Sequence, residues 1–273
     1  MDVENRSQKI VSEDIRRKIQ EFRLMDDEFM TACFEGQPGC MELILRIILN
    51  RSDLVVDSVD VQMYLKNLQG RSLQLDLHSK TDGTEYNVEF QRDAKRAVPK
   101  RARYHGSVMD ANALKAGEDF DRLPETYVIF VTEDDYYECG EAVYHVERFV
   151  TNADGGRLFE DGLHILYVNG EYAGDDDMGK LMHDFRCKDP EDMNYSELKE
   201  RTRYFKETEE GVRKMSEVMK SYVDEVMPEY IHEEKMRSAT RMIEGGKLTY
   251  EEIAEYAGLS LAEIEELADN KSA

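Results

Sequence analysis

The chain has 273 residues, 41% of them apolar, with 59 acidic against 36 basic side chains and a net charge of −23. That length allows one sizeable core plus a small appendage. The acidity excludes a surface that attracts polyanions everywhere, so any nucleic-acid contact must come from a local basic patch. No apolar run approaches the roughly 20 residues that cross a bilayer. Cys33, Cys40, Cys139 and Cys187 include no C-x-x-C pair, which argues against a structural zinc site. With a polar, charged N-terminus, this reads as a cytosolic protein with reduced thiols and no membrane partner.

Residues 1–24 form a charged segment whose weak apolar rhythm (Ile15, Ile19, Phe22) predicts helix. Residues 26–35 and 40–49 predict a short helix and a longer one, parted by Gly36-Gln-Pro-Gly39. The longer one carries a buried stripe of Leu43, Ile44, Ile47 and Ile48. Residues 53–67 suggest a short extended piece. Then come two alternating segments, Ser72-Leu-Gln-Leu-Asp-Leu-His-Ser79 and Glu85-Tyr-Asn-Val-Glu-Phe-Gln91, joined through the hairpin signal Asp82-Gly83. Strict alternation puts Leu73, Leu75 and Leu77 on one face, and Val88 and Phe90 on one face of the second strand. Asp76 then stands across from Glu89 and Gln91.

Two carboxylates facing each other across a hairpin are costly unless a cation lies between them, and carboxylate oxygens suit Mg²⁺. The bland alternative is a pair of solvated hairpin positions. Directly afterwards, residues 92–103 hold Arg92, Lys95, Arg96, Lys100, Arg101 and Arg103 against Asp93 alone, a local net of +5. This is either a phosphate-contacting patch or a solvated helix face.

Residues 93–117 are helical in composition, with Pro99 near a helix start or break. Glu125-Thr-Tyr-Val-Ile-Phe-Val-Thr132 predicts a central buried strand, and 142–149 and 163–168 predict two more. Residues 196–226 predict a long helix, interrupted afterwards by Pro228. Thr249-Tyr-Glu-Glu252 and Ser260-Leu-Ala-Glu263 read as capping boxes of two helices joined at Ala257-Gly-Leu-Ser260, a helix-turn-helix pattern. Its surface is acidic, which favours a protein contact or homo-oligomer over DNA. His183 and Cys187 lie one helical turn apart, and with no second pair nearby the structural reading prevails.

The order helix, strand, hairpin with Asp then Glu-x-Gln, basic helix, buried strand resembles a PD-(D/E)xK nuclease core. In detail the chain resembles the recombination-promoting nuclease (Rpn) family, also called PD-(D/E)xK nuclease family transposases. The likeness rests on Leu75-Asp-Leu77, Tyr86-Asn-Val-Glu-Phe-Gln91, Lys100-Arg-Ala-Arg-Tyr-His-Gly-Ser107, Leu181-Met-His-Asp-Phe-Arg-Cys-Lys-Asp-Pro-Glu-Asp-Met193 and the tail from Leu248 to Glu266, and covers roughly residues 25–266.

The resemblance implies an α/β fold: a restriction-endonuclease-like central mixed sheet of about four or five strands flanked by helices, with an all-helical C-terminal extension. The division expected is 1–24 N-terminal segment, 25–190 nuclease-like domain, 191–240 helical extension and 241–273 tail. It implies a Mg²⁺-dependent DNA endonuclease (Mn²⁺ as a substitute) tied to recombination or mobile elements. Asp76 and Glu89 match the metal-binding carboxylates, with Gln91 completing the catalytic set where the superfamily usually has lysine. Glu42 is a candidate additional metal carboxylate, against the plainer reading of a helix-face carboxylate. Lys95, Lys100, Arg101, Arg103 and Tyr104 are the candidate DNA contacts. The alternatives are a catalytically weak or inactive relative acting as an acidic interaction or regulatory module, including in phage defence, and a plain structural assembly built through the helical tail.

Overall fold

In a computed structural model the described residues are 11–67, 70–152, 155–221, 227–246 and 248–272. The chain divides into two compact units, residues 1–216 and 217–273. Part of the expected N-terminal helix (residues 1–10) and the end of the expected 196–226 helix (222–226) lie outside the described residues.

The first unit opens with α1 (Glu13–Glu21), whose N-cap Ser12 accepts from the Ile15 N–H. It continues with α2 (Asp27–Phe34) and α3 (Pro38–Ile48). A six-stranded mixed sheet follows, built from β1 (Asp60–Leu65), β2 (Leu73–Thr81), β3 (Thr84–Gln91), β4 (Glu125–Thr132), β5 (Val143–Val146) and β8 (Leu163–Asn169), in the order β1-β2-β3-β4-β8-β5. It has more strands than the sequence led us to expect. A separate two-stranded ribbon, β6 (Phe149–Asn152) with β7 (Gly155–Leu158), was not foreseen, and the predicted 142–149 strand ends at Val146. Asp82 and Gly83 both adopt positive φ (50° and 76°), the tight hairpin geometry their identities call for.

β4 pairs in parallel with β3 and β8. Val128, Ile129, Phe130 and Val131 are wholly buried, because a strand covered on both faces must be apolar throughout. One face is covered by α4 (Pro99–Ala113), which begins at Pro99, the helix start expected there, after a short 3₁₀ turn, Ala94–Arg96. Ala102, Val108 and Met109 of this helix pack with Leu75, Val128, Phe130, Ile165 and Tyr167. The helix lies so close that a Cβ on Gly106 would meet Leu163 Cδ1 at 2.7 Å. The other face carries α2 and α5 (Asp177–Arg186), where Phe90 packs between Phe34 (6.2 Å) and Phe185 (5.2 Å).

β2 departs from simple alternation. Leu75 lies in the cluster under α4. Leu77 instead stands opposite Val88, and Val88 opposite Ile129, on the face away from α4. The expected shared face of Leu73, Leu75 and Leu77 is therefore not formed: β2 turns over at Asp76. On β1 the facing residue, Gln62, has φ +52°, so both strands are distorted at the same point. A reversal of this kind is invisible to a period-two count.

α6 (Ser196–Glu207) and α7 (Glu209–Ser221) occupy the predicted long helix. They are separated at Thr208, whose Oγ1 accepts from Gly211 N at 3.0 Å and starts the second helix. Lys206, 2% exposed, donates to the carbonyls of Gln20 (2.9 Å) and Phe22 (2.6 Å) and to that of Lys188, tying α1 to α6.

In the second unit Pro228 occupies the second position of α8 (Met227–Gly245), so it opens a helix instead of interrupting one. α9 (Tyr250–Ala257) and α10 (Leu261–Ser272) follow. Thr249–Glu252 forms a reciprocal capping box, the Ser260–Glu263 pair bonds in the same way, and Gly258 ends α9 at φ +64°. Ala239, Ile253, Ala257 and Ile264 form the small core of this unit. Among the described residues no helix is long and apolar enough to cross a membrane.

Candidate active site

The ladder between β2 and β3 runs from the turn as far as Leu77–Val88. Beyond it, where Asp76 would face Glu89, side chains replace the backbone pairing. Asp76 Oδ2 accepts the Phe90 N–H at 2.9 Å, and Glu89 Oε1 accepts the Asp76 N–H at 3.3 Å. Each carboxylate thus caps the opposite strand where the strands part, and the two are brought together. Glu89 is 1% exposed and Asp76 half-buried.

Both carboxyls are held above the ordinary carboxylate range. For Asp76 the cause is first burial, then the charge of Glu89, then Asp27. For Glu89 it is burial, relieved in part by Arg101 and by hydrogen bonds. A buried pair that resists double ionisation is the arrangement a divalent cation relieves. Asp76 Oδ1 has no hydrogen-bond donor among the described residues and is open to such an ion.

Gln91 follows on the same face of β3 as Glu89. Its Oε1 accepts from Arg101 Nη1 at 2.5 Å. Arg101 also reaches Glu89 Oε2 through Nη2 at 3.2 Å and His105 Nε2 through Nε at 3.3 Å. It is therefore an inward-facing member of the basic cluster.

The other cluster residues divide. Lys95, Lys100 and Arg103 are exposed, and with Arg96 they have no carboxylate partner among the described residues. Arg92 pairs with Asp26 (3.1 Å) and Glu133 (3.4 Å). Tyr104 packs against the core under α4; its hydroxyl donates to the Arg71 carbonyl and accepts from Asn67 Nδ2 at 3.1 Å, a structural engagement.

Glu42 accepts from Val56 N at 3.0 Å and pairs with Arg46 at 2.8 Å, both local bonds that set the chain after α3. The third carboxylate whose charge bears on both Asp76 and Glu89 is Asp27, on the first turn of α2. Gln62 Nε2 donates to Asp27 Oδ1 at 2.9 Å and holds it beside the distorted point of β1 that faces Asp76. Sequence reasoning missed Asp27. The available signal was an acidic N-terminus on the helix just before the sheet, which alone is indistinguishable from helix-dipole complementation.

His183, whose spacing from Cys187 reads as structural, has a structural setting. Asp184, fully buried, accepts from the backbone of Asn194 and Tyr195, and His183 lies beside it. His78 bonds Glu85 at 2.7 Å inside the fold.

Two carboxylates flanked by a polar amide and an arginine, at the point where a β-hairpin opens beneath a basic helix, define a PD-(D/E)XK-type nuclease core. The chain matches the family described as PD-(D/E)XK nuclease family transposase over residues 56–258, most of its length, and belongs to that family. No curated protein and no solved structure matches it.

The donor set fits a hard divalent cation. Among the described residues no group of three or more His, Cys, Asp or Glu is arranged to hold a metal ion. Mg²⁺, however, is commonly held by one or two carboxylates and keeps several waters, which is what Asp76 and Glu89 offer.

Proposed function

We propose that the protein is a Mg²⁺-dependent DNA endonuclease, with Mn²⁺ as a substitute ion, acting in the cytosol in recombination or mobile-element activity. The observation that carries this reading is the Asp76–Glu89 pair, mutually repelling and bonded across the opened hairpin, with Glu89 buried. A divalent ion bound by these residues would activate water and offset the charge that develops on the phosphate. In the hydrolysis one bond from water oxygen to phosphorus forms and one ester P–O bond breaks. One water proton goes to the departing sugar oxygen and the other to solvent.

Asp76 and Glu89 would hold the ion, with Asp27 as the nearby third carboxylate. Gln91, its Oε1 already taken by Arg101, has N–H groups left to orient an oxygen and no charge to contribute. Lys95, Lys100 and Arg103, exposed around α4, would track the phosphate backbone.

Plasmid nicking by the purified protein in Mg²⁺, Mn²⁺ or EDTA, beside Glu89→Gln, tests this reading. Metal-dependent cutting that the variant loses supports it. A folded wild type that cuts with neither metal rejects it. That outcome would favour the second reading, a weak or inactive relative acting as an acidic interaction or regulatory module, including in phage defence, for which the net charge of −23 and the uncharged Gln91 speak.

A further inference from the structure

We propose that Arg101 supplies the positive charge beside the scissile phosphate that Gln91 cannot, so that this site takes its working cation from the helix over the sheet instead of from β3. The inference rests on the nuclease reading above and names a residue role within it.

Three edges of the Arg101 guanidinium are fixed at once: Nη1 on Gln91 Oε1 at 2.5 Å, Nη2 on Glu89 Oε2 at 3.2 Å and Nε on His105 Nε2 at 3.3 Å. The carbon centre lies 5.6 Å from the Phe130 ring centroid, over its face. A guanidinium has five N–H donors, so about two stay free for an incoming oxyanion. The side chain is 36% exposed while its partner Glu89 is 1% exposed, so the free edge is the open one.

The support behind Arg101 is specific. His105 is fully buried, and its Nε2 faces Arg101 Nε, which can only donate, so the ring accepts there and is neutral. Accepting from Arg101 on Nε2 places its proton on Nδ1, 3.1 Å from Asn87 Nδ2 and 3.5 Å from Glu89 Oε1. Asn87 Oδ1 is buried without a partner as oriented. The Nδ1 proton has Glu89 Oε1 within 3.5 Å as its acceptor, and the Asn87 side chain hydrogen-bonds the same carboxylate. The buried His105 behind Arg101 thus helps fix a single cation on Gln91 and Glu89. A surface pairing made only to neutralise Glu89 would not require it.

The same placement makes Arg101 a competitor of any metal ion for Glu89, which gives a test without catalysis. The full chain is prepared as wild type, Arg101→Ala, Arg101→Lys and the double variant Arg101→Ala/Gln91→Lys. Mn²⁺ binding is measured by calorimetry at pH 8, duplex binding in Ca²⁺, and cleavage in Mg²⁺ under single turnover. Arg101→Ala is expected to bind Mn²⁺ about tenfold more tightly, because a repelling charge is gone. It should cut about 100–1,000-fold more slowly, while duplex binding weakens less than about tenfold, the scale of one phosphate contact. The double variant, with a lysine placed on β3, is expected to recover cutting to within about tenfold of wild type.

Unchanged Mn²⁺ affinity in Arg101→Ala, or cutting at the wild-type rate, overturns the proposal. So does a folded, Mn²⁺-binding double variant that stays inactive while Arg101→Lys is active. If the wild type itself cuts nothing, the nuclease reading is what fails. The Mn²⁺ comparison still decides Arg101: tightening keeps it as the cation opposed to the carboxylates, and no change removes it.

Discussion

Asp76→Asn is the perturbation whose outcome is hardest to obtain by accident, because it should stabilise the protein while destroying its chemistry. The amide keeps an oxygen for the Phe90 N–H, which Asp76 Oδ2 now accepts at 2.9 Å. What it removes is a negative charge against Glu89. Two unit charges about 5 Å apart repel by about 3 kcal/mol at an effective dielectric of 20. Arg101, 3.2 Å from Glu89, offsets part of this, leaving a gain of about 1–2 kcal/mol. For a unit of this size that is a rise of about 3–6 °C in Tm.

The sign depends on pH. Both carboxyls are held above their ordinary values in the folded state, so the folded protein binds more protons than the unfolded chain between the ordinary and the raised values. Metal-free stability from this pair is fully present below the ordinary carboxylate range and is lost as pH rises through the raised values. The gain from Asp76→Asn should therefore be seen at pH 8 in EDTA and shrink toward pH 5. Added Mg²⁺ should restore the wild type at pH 8 and do little for the variant. Thermal unfolding followed by circular dichroism across this range reads all of it. A variant that is destabilised equally at pH 5 and pH 8 would refute the reasoning, since Asp76 would then be a structural group and not half of a repelling pair.

Other outcomes follow from the same geometry. Lys100→Ala and Arg103→Ala should each weaken duplex binding without regard to sequence and lower the salt slope by about 1, read by fluorescence anisotropy at several salt concentrations. Lys206→Met should cost about 2–4 kcal/mol, because the carbonyls of Gln20, Phe22 and Lys188 lose their donor; amide exchange in α1 should rise while the sheet stays protected. Gly106→Ala should cost about 1–3 kcal/mol in denaturant unfolding, since the new methyl meets Leu163 Cδ1 at 2.7 Å.

What was legible in the chain was local. The Asp82-Gly83 turn, the buried run of β4, Pro99 at a helix start and the two capping boxes each depend on neighbours a few residues away, and the structure has them where the residues place them. Asp76 and Glu89 were legible as a pair because a hairpin makes their separation predictable. Other features depend on distant partners. The turnover of β2 at Asp76 needs Gln62 on another strand. Asp27 gains meaning only when Gln62 brings α2 to that point. Which of Lys100, Arg101 and Arg103 faces inward depends on how α4 rotates, and that is set by Ala102, His105, Gly106 and Met109 burying against the sheet. Placed by that stripe, Arg101 turns inward and Arg103 outward, a distinction that counting charges cannot make. Glu42 drew attention beside an apolar helix stripe, yet its bonds are to Arg46 and Val56 nearby.

The central claim is that Asp76 and Glu89 together hold the catalytic ion. Anomalous diffraction from crystals of the full chain soaked in Mn²⁺ tests it most directly. The account predicts one ion about 2.1 Å from Asp76 Oδ1 and from a Glu89 oxygen, absent in Asp76→Asn crystals. An ion bound elsewhere, or none at this pair in protein that still cuts DNA, would contradict it.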